Sequence, residues 1–240
     1  MIGIVAAHPV ELRLVIRHLS DRRRSRSVVY GRLDRVPVAV GCLGQGWLRA
    51  EVGTARFLEM TRCTALLMTG FAGATQDGAV CGDLVVPDVV VDLHEDWQAA
   101  DGPRYRPSVD VASVRLAIGG QGGVLATVGC LVGSPAQKTR LGQRTGAVAV
   151  DLESAAVAAV AQARGVPWVV ARVILDPLDR PLGVRSAWHA GWLAVSVIGW
   201  GRLGSFLQDV VVAQRHVGER VRAIVAALPP QLRSRTEHDG

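Results

Sequence analysis

At 240 residues and 49% hydrophobic content, the chain is long enough to bury one large core and leaves no room for more than two small domains. Aromatic residues make up only 5%, against 27 glycines and many Ala-Val runs, which favours α/β layering over a sandwich of aromatic strands. The net charge of +6 and pI near 9.9 come from scattered basic residues and one cluster, Asp21-Arg22-Arg23-Arg24-Ser25-Arg26, without aromatic interleaving, so nucleic-acid binding is not expected.

Four isolated cysteines (Cys42, Cys63, Cys81, Cys130) with no CxxC spacing read as core thiols of a reducing compartment and not as metal ligands. The chain enters a strand at once, without a basic-then-apolar leader, and has no run of eighteen apolar residues. A cytoplasmic protein is therefore expected.

Met1 to Ala7 reads as an apolar strand. His8-Pro9 then opens a helix to about His18, which places Glu11 in its first turn at the strand's carboxyl end. There a carboxylate either faces a ligand crevice or simply complements the helix dipole. Arg22 to Arg26 is expected to be a solvated loop, followed by strands Ser27 to Arg32 and Val36 to Leu43 in a hairpin around Asp34. Gly44-Gln45-Gly46-Trp47 turns into a helix to about Glu59, but lacks the third glycine of a dinucleotide fingerprint.

Thr64 to Thr69 reads as a buried strand. It leads into a small-residue loop, Gly70-Phe71-Ala72-Gly73-Ala74, where Phe71 either stacks on a planar ligand or plugs the sheet edge. A strand from Leu84 to Val91, an acidic solvent-facing stretch from Asp92 to Trp97, a helix from Ser108 to Ile118 and a strand from Gly123 to Cys130 follow. After Leu131-Val132-Gly133, Ser134-Pro135 fits an N-cap and first-turn proline of a short helix to Leu141.

The most informative stretch runs from Ala147 to Asp176. It reads as a strand, an acidic turn with Asp151 and Glu153, an Ala-rich helix, and a longer apolar strand from Trp168 ending on Asp176. Carboxylates at the carboxyl ends of such strands lie where open α/β sheets place ligands. Helix capping by Asp151 or Glu153, and a turn started by Asp176, would account for the same residues. Two helical stretches, about Ser186 to Val197 and Leu203 to Ala227, close the chain, the second broken in character around Gly218. Residues 1–228 are expected to form one domain, a three-layer α/β/α sandwich with a central mixed sheet, and 229–240 a disordered polar tail.

Three carboxylates, Glu11, Glu153 and Asp176, thus come from three strand ends. With IGIVAAHPVE, LLMTGFAGA, GDLVVPD, AVAVDLESAAVAAVAQARGVPWVVARV and ILDPLD in this order, the chain resembles the purine nucleoside phosphorylase and nucleosidase superfamily. The likeness is greatest to the methylthioadenosine/S-adenosylhomocysteine nucleosidase branch. LDPLDRPL with GAVAVDLES also resembles the hopanoid-associated group, which removes adenine from adenosylhopane.

The resemblance implies that Glu11 activates the attacking water, Glu153 binds the ribose hydroxyls and Asp176 donates a proton at purine N7. It places Leu152 against the ribose, Phe71 and Gly73 near sugar and base, and Leu131 and Val132 around the base. Arg172, inside the last strand, is expected to support Glu11 or Glu153 by pairing. A small-molecule purine nucleoside, a homodimer and no cofactor are further implications. The pattern departs from the family at Leu175, where a serine often precedes the aspartate and hydrogen-bonds to it; a main-chain group or water would have to take its place.

Cleaving a ribosyl C1′–N9 bond builds positive charge on the sugar and negative charge on the purine, so an acid near N7 is the chief requirement. A free Asp titrates near ~3.9 and must be raised by burial to serve. A phosphate nucleophile would need cationic or backbone donors where Glu11 stands, and the first loop lacks the Gly-Asp-x-x-Arg pattern of the phosphorylases, so hydrolysis leads phosphorolysis. The alternatives are a phosphorylase and a non-catalytic nucleoside binder or scaffold. The run Trp188, Trp192, Leu193, Val197, Trp200, Leu203, Phe206 suggests either an apolar mouth with weak peripheral membrane contact or an ordinary core or interface helix.

Overall fold

The apolar runs fold as their lengths require. In the computed structural model, which describes residues 1–179 and 200–233 (side chains to 179 and from 208), Ile2–Ala6 (β1) is buried at every position. Its neighbours are Val36–Cys42 (β4) and the long Ala65–Ala74 (β5), both parallel to it. Trp168–Asp176 (β11) runs parallel to β5 on the other side, and beyond the end of β1 the tip of β5 pairs antiparallel with Ala147–Asp151 (β10). Val124–Val128 (β9), Val89–Leu93 (β7) and Arg104–Tyr105 (β8) continue from β10, while Val28–Leu33 (β3) and Ser20–Ser25 (β2) extend past β4. Leu84–Val85 (β6) pairs with β11, completing a mixed sheet.

Helices cover both faces. Pro9–Arg17 (α1), Val111–Ile118 (α3) and Trp200–Ala227 (α6) share one core with β1, β4 and β11. Trp47–Thr61 (α2) and Ser154–Ala163 (α5) pack on the opposite face around Phe57, Leu66 and Trp168. Pro135–Thr145 (α4) closes a smaller cluster through Leu141. This is the three-layer α/β/α sandwich with a central mixed sheet.

Several local expectations change. Arg22 to Arg26 is not a loop: most of it lies in β2, an edge strand exposed on both faces and therefore without apolar alternation to betray it. Gly70 to Ala74 continues β5, because β11 keeps pairing with it through Phe71 and Ala72. The expected strand from Leu84 to Val91 divides into β6 and β7, with Pro87 between them. Helix α4 continues to Thr145, and α6 runs unbroken through Gly218, where a Cβ would meet that of Leu14 at 3.0 Å. Only Cys63 of the four thiols is fully buried, and Cys42 and Cys130 are exposed.

In the segment expected to be a disordered tail, Pro230–Arg233 forms a helical turn (α7) whose Leu232 carbonyl accepts from Thr64 Oγ1 at 2.7 Å. The stretch Ser186 to Val197, and the side chains of the whole Trp188 to Phe206 run, lie outside the described residues. Among the described residues no helix is long and apolar enough to cross a membrane.

Candidate active site

Glu11 in the first turn of α1, Glu153 at the start of α5 and Asp176 at the end of β11 follow the carboxyl ends of β1, β10 and β11. Glu11 is held on both oxygens by backbone: Oε2 accepts from His8 N–H at 2.8 Å, closing a capping box with the His8 ring, and Oε1 accepts from Phe71 N–H at 2.8 Å. Burial pushes its pKa up, against the opposing charge of Arg172. The dipole explanation for Glu11 is thus incomplete, because this carboxylate is buried and tied to a strand sixty residues away.

Glu153 sits at the N-cap position of α5 but makes no capping bond. Its Oε1 accepts instead from Gly46 N–H at 2.8 Å, at the turn entering α2. Burial raises its pKa to about 7, with the charge of Arg172 opposing and that of Asp151 adding to the rise. The helix-facing role falls to Asp151, whose Oδ1 accepts from Ser154 N–H at 3.3 Å and Thr127 Oγ1 at 2.7 Å.

Arg172, fully buried, links these carboxylates. Its principal partner is Asp151, with Nε 2.8 Å and Nη2 2.6 Å from Oδ2, while Glu153 Oε2 lies 3.6 Å from Nη2. Nη1 donates to the Thr69 carbonyl at 2.9 Å. Burial works against the guanidinium's charge, but Asp151, Glu153 and Glu11 outweigh it and keep it protonated. Gly70 lets Glu11 approach: a Cβ there would lie 2.3 Å from Glu11 Oε1 and 2.5 Å from Arg172 Nη1.

Asp176 faces Gly73 across the β5–β11 ladder, and a Cβ at Gly73 would contact its Oδ2 at 3.4 Å. Burial raises its pKa to about 6, opposed by the hydrogen bond and charge of Lys138. The Nζ of Lys138 stands 2.7 Å from Asp176 Oδ2 and donates to the Pro177 carbonyl at 2.7 Å. Lys138 is entirely buried.

Of the remaining residues named from sequence, Phe71 is half-buried and its side chain packs on the α1/α6 core. Leu152 is half-buried beside the α4 cluster, Val132 is buried in it, and Leu131 next to Val132 is half-buried. Asp92, expected to be solvent-like, is buried: Oδ2 accepts from Trp47 Nε1 at 3.0 Å, and Oδ1 lies 2.9 Å from His94 Nδ1, whose ring stacks on Trp47. Sequence reasoning also missed Lys138, Asp151 as the guanidinium's partner, and the Gly46 N–H. For Lys138 a signal existed: of 27 basic residues it alone is lysine.

Comparisons with known proteins bear on the family and the fold. A family model described as the phosphorylase superfamily matches residues 1–191. A 5′-methylthioadenosine/S-adenosylhomocysteine nucleosidase of Haemophilus ducreyi is 28% identical over 199 residues, covering 75% of this chain and 86% of that protein. That of Mycobacterium bovis is 24% identical over 238 residues, covering 81% and 92%. Among solved structures, the Streptococcus pneumoniae nucleosidase with a transition-state inhibitor superposes with a TM-score of 0.75 at 21% identity, covering 94% of this chain and 98% of that one. The S-adenosylhomocysteine nucleosidase of Streptococcus pyogenes, in complex with 5-methylthiotubericidin, gives 0.73 at 25% identity, covering 95% and 97%. By the extent of the family match, this chain belongs to the phosphorylase superfamily, and within it resembles the methylthioadenosine/S-adenosylhomocysteine nucleosidases.

Proposed function

We propose that this protein is an N-ribosyl hydrolase that releases adenine from an adenine nucleoside. The observation that carries the choice of water over phosphate is the grouping of three buried carboxylates, Glu11, Asp151 and Glu153, around the single guanidinium of Arg172. One guanidinium is shared among three acidic groups, so the cluster has no cation to spare for a phosphate anion brought beside Glu11, while a water molecule suits a fixed acceptor.

In this reading Glu153 orients the ribose hydroxyls and sets negative charge near the developing cation. Glu11 takes a proton from the attacking water as its oxygen bonds to C1′. The C1′–N9 bond breaks toward the purine, and Asp176 delivers a proton to N7, so adenine leaves neutral. Exchange with solvent then moves a proton from Glu11 back to Asp176. A carboxyl raised to about 6 by burial holds its proton far better near neutrality than an exposed aspartate does.

Incubation with methylthioadenosine, S-adenosylhomocysteine and adenosylhopane, with and without phosphate, tests the proposal. Free ribose products with no phosphate requirement are expected, and a phosphate-dependent ribose 1-phosphate product would overturn hydrolysis. Asp176→Asn should lose on the order of 10²–10⁴-fold in rate, and full activity of that variant would remove the acid assignment. Adenosylhopane belongs in the panel because of the LDPLDRPL and GAVAVDLES segments. Leu48, Val52 and Met60, exposed along α2, supply an apolar face for the homodimer that the family likeness implies, which light scattering would weigh.

A further inference from the structure

The chain uses arginine at 26 of its 27 basic positions and lysine once, and that lysine is among its most deeply buried side chains. A buried cation is costly unless every donor is satisfied. Among the described residues Lys138 meets that condition with three acceptors: Asp176 Oδ2 at 2.7 Å, the Pro177 carbonyl at 2.7 Å and the Asp176 carbonyl at 3.4 Å. Three acceptors clustered around one point suit a compact ammonium with three rotatable donors. A planar guanidinium, which spreads its donors over a fork, would not fit them. This accounts for why the one exception to arginine stands here.

The neighbouring position in the chain offers no help to Asp176. Leu175 has no side-chain donor, and the residue that faces Asp176 across the β5–β11 ladder is Gly73, which has no side chain at all. Among the described residues Lys138 is the charged group that acts on Asp176, and it engages Oδ2, leaving Oδ1 without a hydrogen bond.

We propose that Lys138 is the positioning residue of the proton donor, holding one oxygen of Asp176 so that the other faces the leaving base, and stabilising the carboxylate that remains once the proton has gone. The inference rests on the reading of Asp176 as the acid. It supplies from a helix thirty-eight residues upstream what a serine at position 175 would supply from the next residue. It also carries a sign. Burial raises the proton affinity of Asp176 and Lys138 restrains the rise, so removing the ammonium lets the carboxyl keep its proton to higher pH.

Two measurements on the full chain test this. First, because Lys138 is the only lysine, protein grown with ¹⁵N-lysine gives a single side-chain Nζ resonance that needs no assignment. It should inflect as Asp176 titrates, and the inflection should vanish in Asp176→Asn. Second, Lys138→Met should lower kcat on the order of 100-fold with KM changed by less than about threefold. In that variant the high-pH limb of kcat/KM for methylthioadenosine should move upward by about one unit or more.

A flat Nζ resonance in a protein that cleaves the nucleoside overturns this inference alone. So does a Lys138→Met variant whose limb stays in place while rate and thermal stability fall together, since that would make Lys138 a purely structural pin on Pro177. A wild type that cleaves no adenine nucleoside overturns the reading of Asp176 and this inference with it. Should Lys138→Met not fold, the wild-type resonance still decides.

Discussion

The carboxylate cluster depends on the absence of a side chain at position 70. With φ at +131°, the Gly70 backbone sits where other residues are strained, and a Cβ would intrude between Glu11 and Arg172. Gly70→Ala is therefore expected to cost about 1–3 kcal/mol from the backbone alone. Displacing Glu11 should also lower adenine release on the order of 100-fold, measured as melting temperature and initial rate. Glu153 gives a second test at this scale. Its folded pKa of about 7 stands above its ordinary 4.5, so between those values the folded state binds more protons than the unfolded one. Stability should then fall as pH rises through that window and level off above it, with Asp176 adding a decline of the same sign up to about 6. Glu153→Gln should flatten the profile in urea titrations run from pH 4 to 8. Glu11, Glu153 and Asp176 were legible in the sequence because each lies at, or within a few residues beyond, the carboxyl end of an apolar strand. Lys138, Asp151 and Gly46 were not, because what gives them meaning is a partner brought close by folding, and no local spacing encodes it.

At the scale of elements, α4 determines where the ammonium stands. Ser134 and Gln137 form a capping box with Pro135 at the first position, and these signals made the helix start readable. Its axis is fixed by a close approach that was not readable: a Cβ on Gly142 would fall 2.5 Å from the Thr75 carbonyl oxygen. Gly142→Ala should push α4 off the end of β5 and carry Lys138 with it. The expected outcome is a lower melting temperature together with an upward move of the high-pH activity limb, in the same direction as Lys138→Met. An element with one buried face and one period, such as α1, could be placed from sequence alone. The extension of β5 through Gly70 to Ala74 could not, because its small residues look like a loop and only pairing with β11 makes them a strand. β2 escaped notice for the opposite reason, since a strand exposed on both faces has no hydrophobic signal at all.

For the molecule as a whole, the sandwich was legible because Val-rich strands and Ala-rich helices alternate along the chain, whereas the order of strands depends on β5 exchanging β1 for β10 along one side. The arginines at the β2 edge, with Arg23 lying over Tyr30 at 5.0 Å, put charge on a strand that would otherwise invite another chain. The uneven use of basic residues has one more consequence. Amine-reactive reagents find no lysine on the surface of this protein, because its only side-chain amine is enclosed between α4 and the end of β11. Acylation at Lys138, followed by mass spectrometry, therefore times the opening of the site itself and works as an internal clock of local unfolding. The labelling rate in the native protein should be far below that in urea, and saturating adenine should slow it further if the base seats against Asp176.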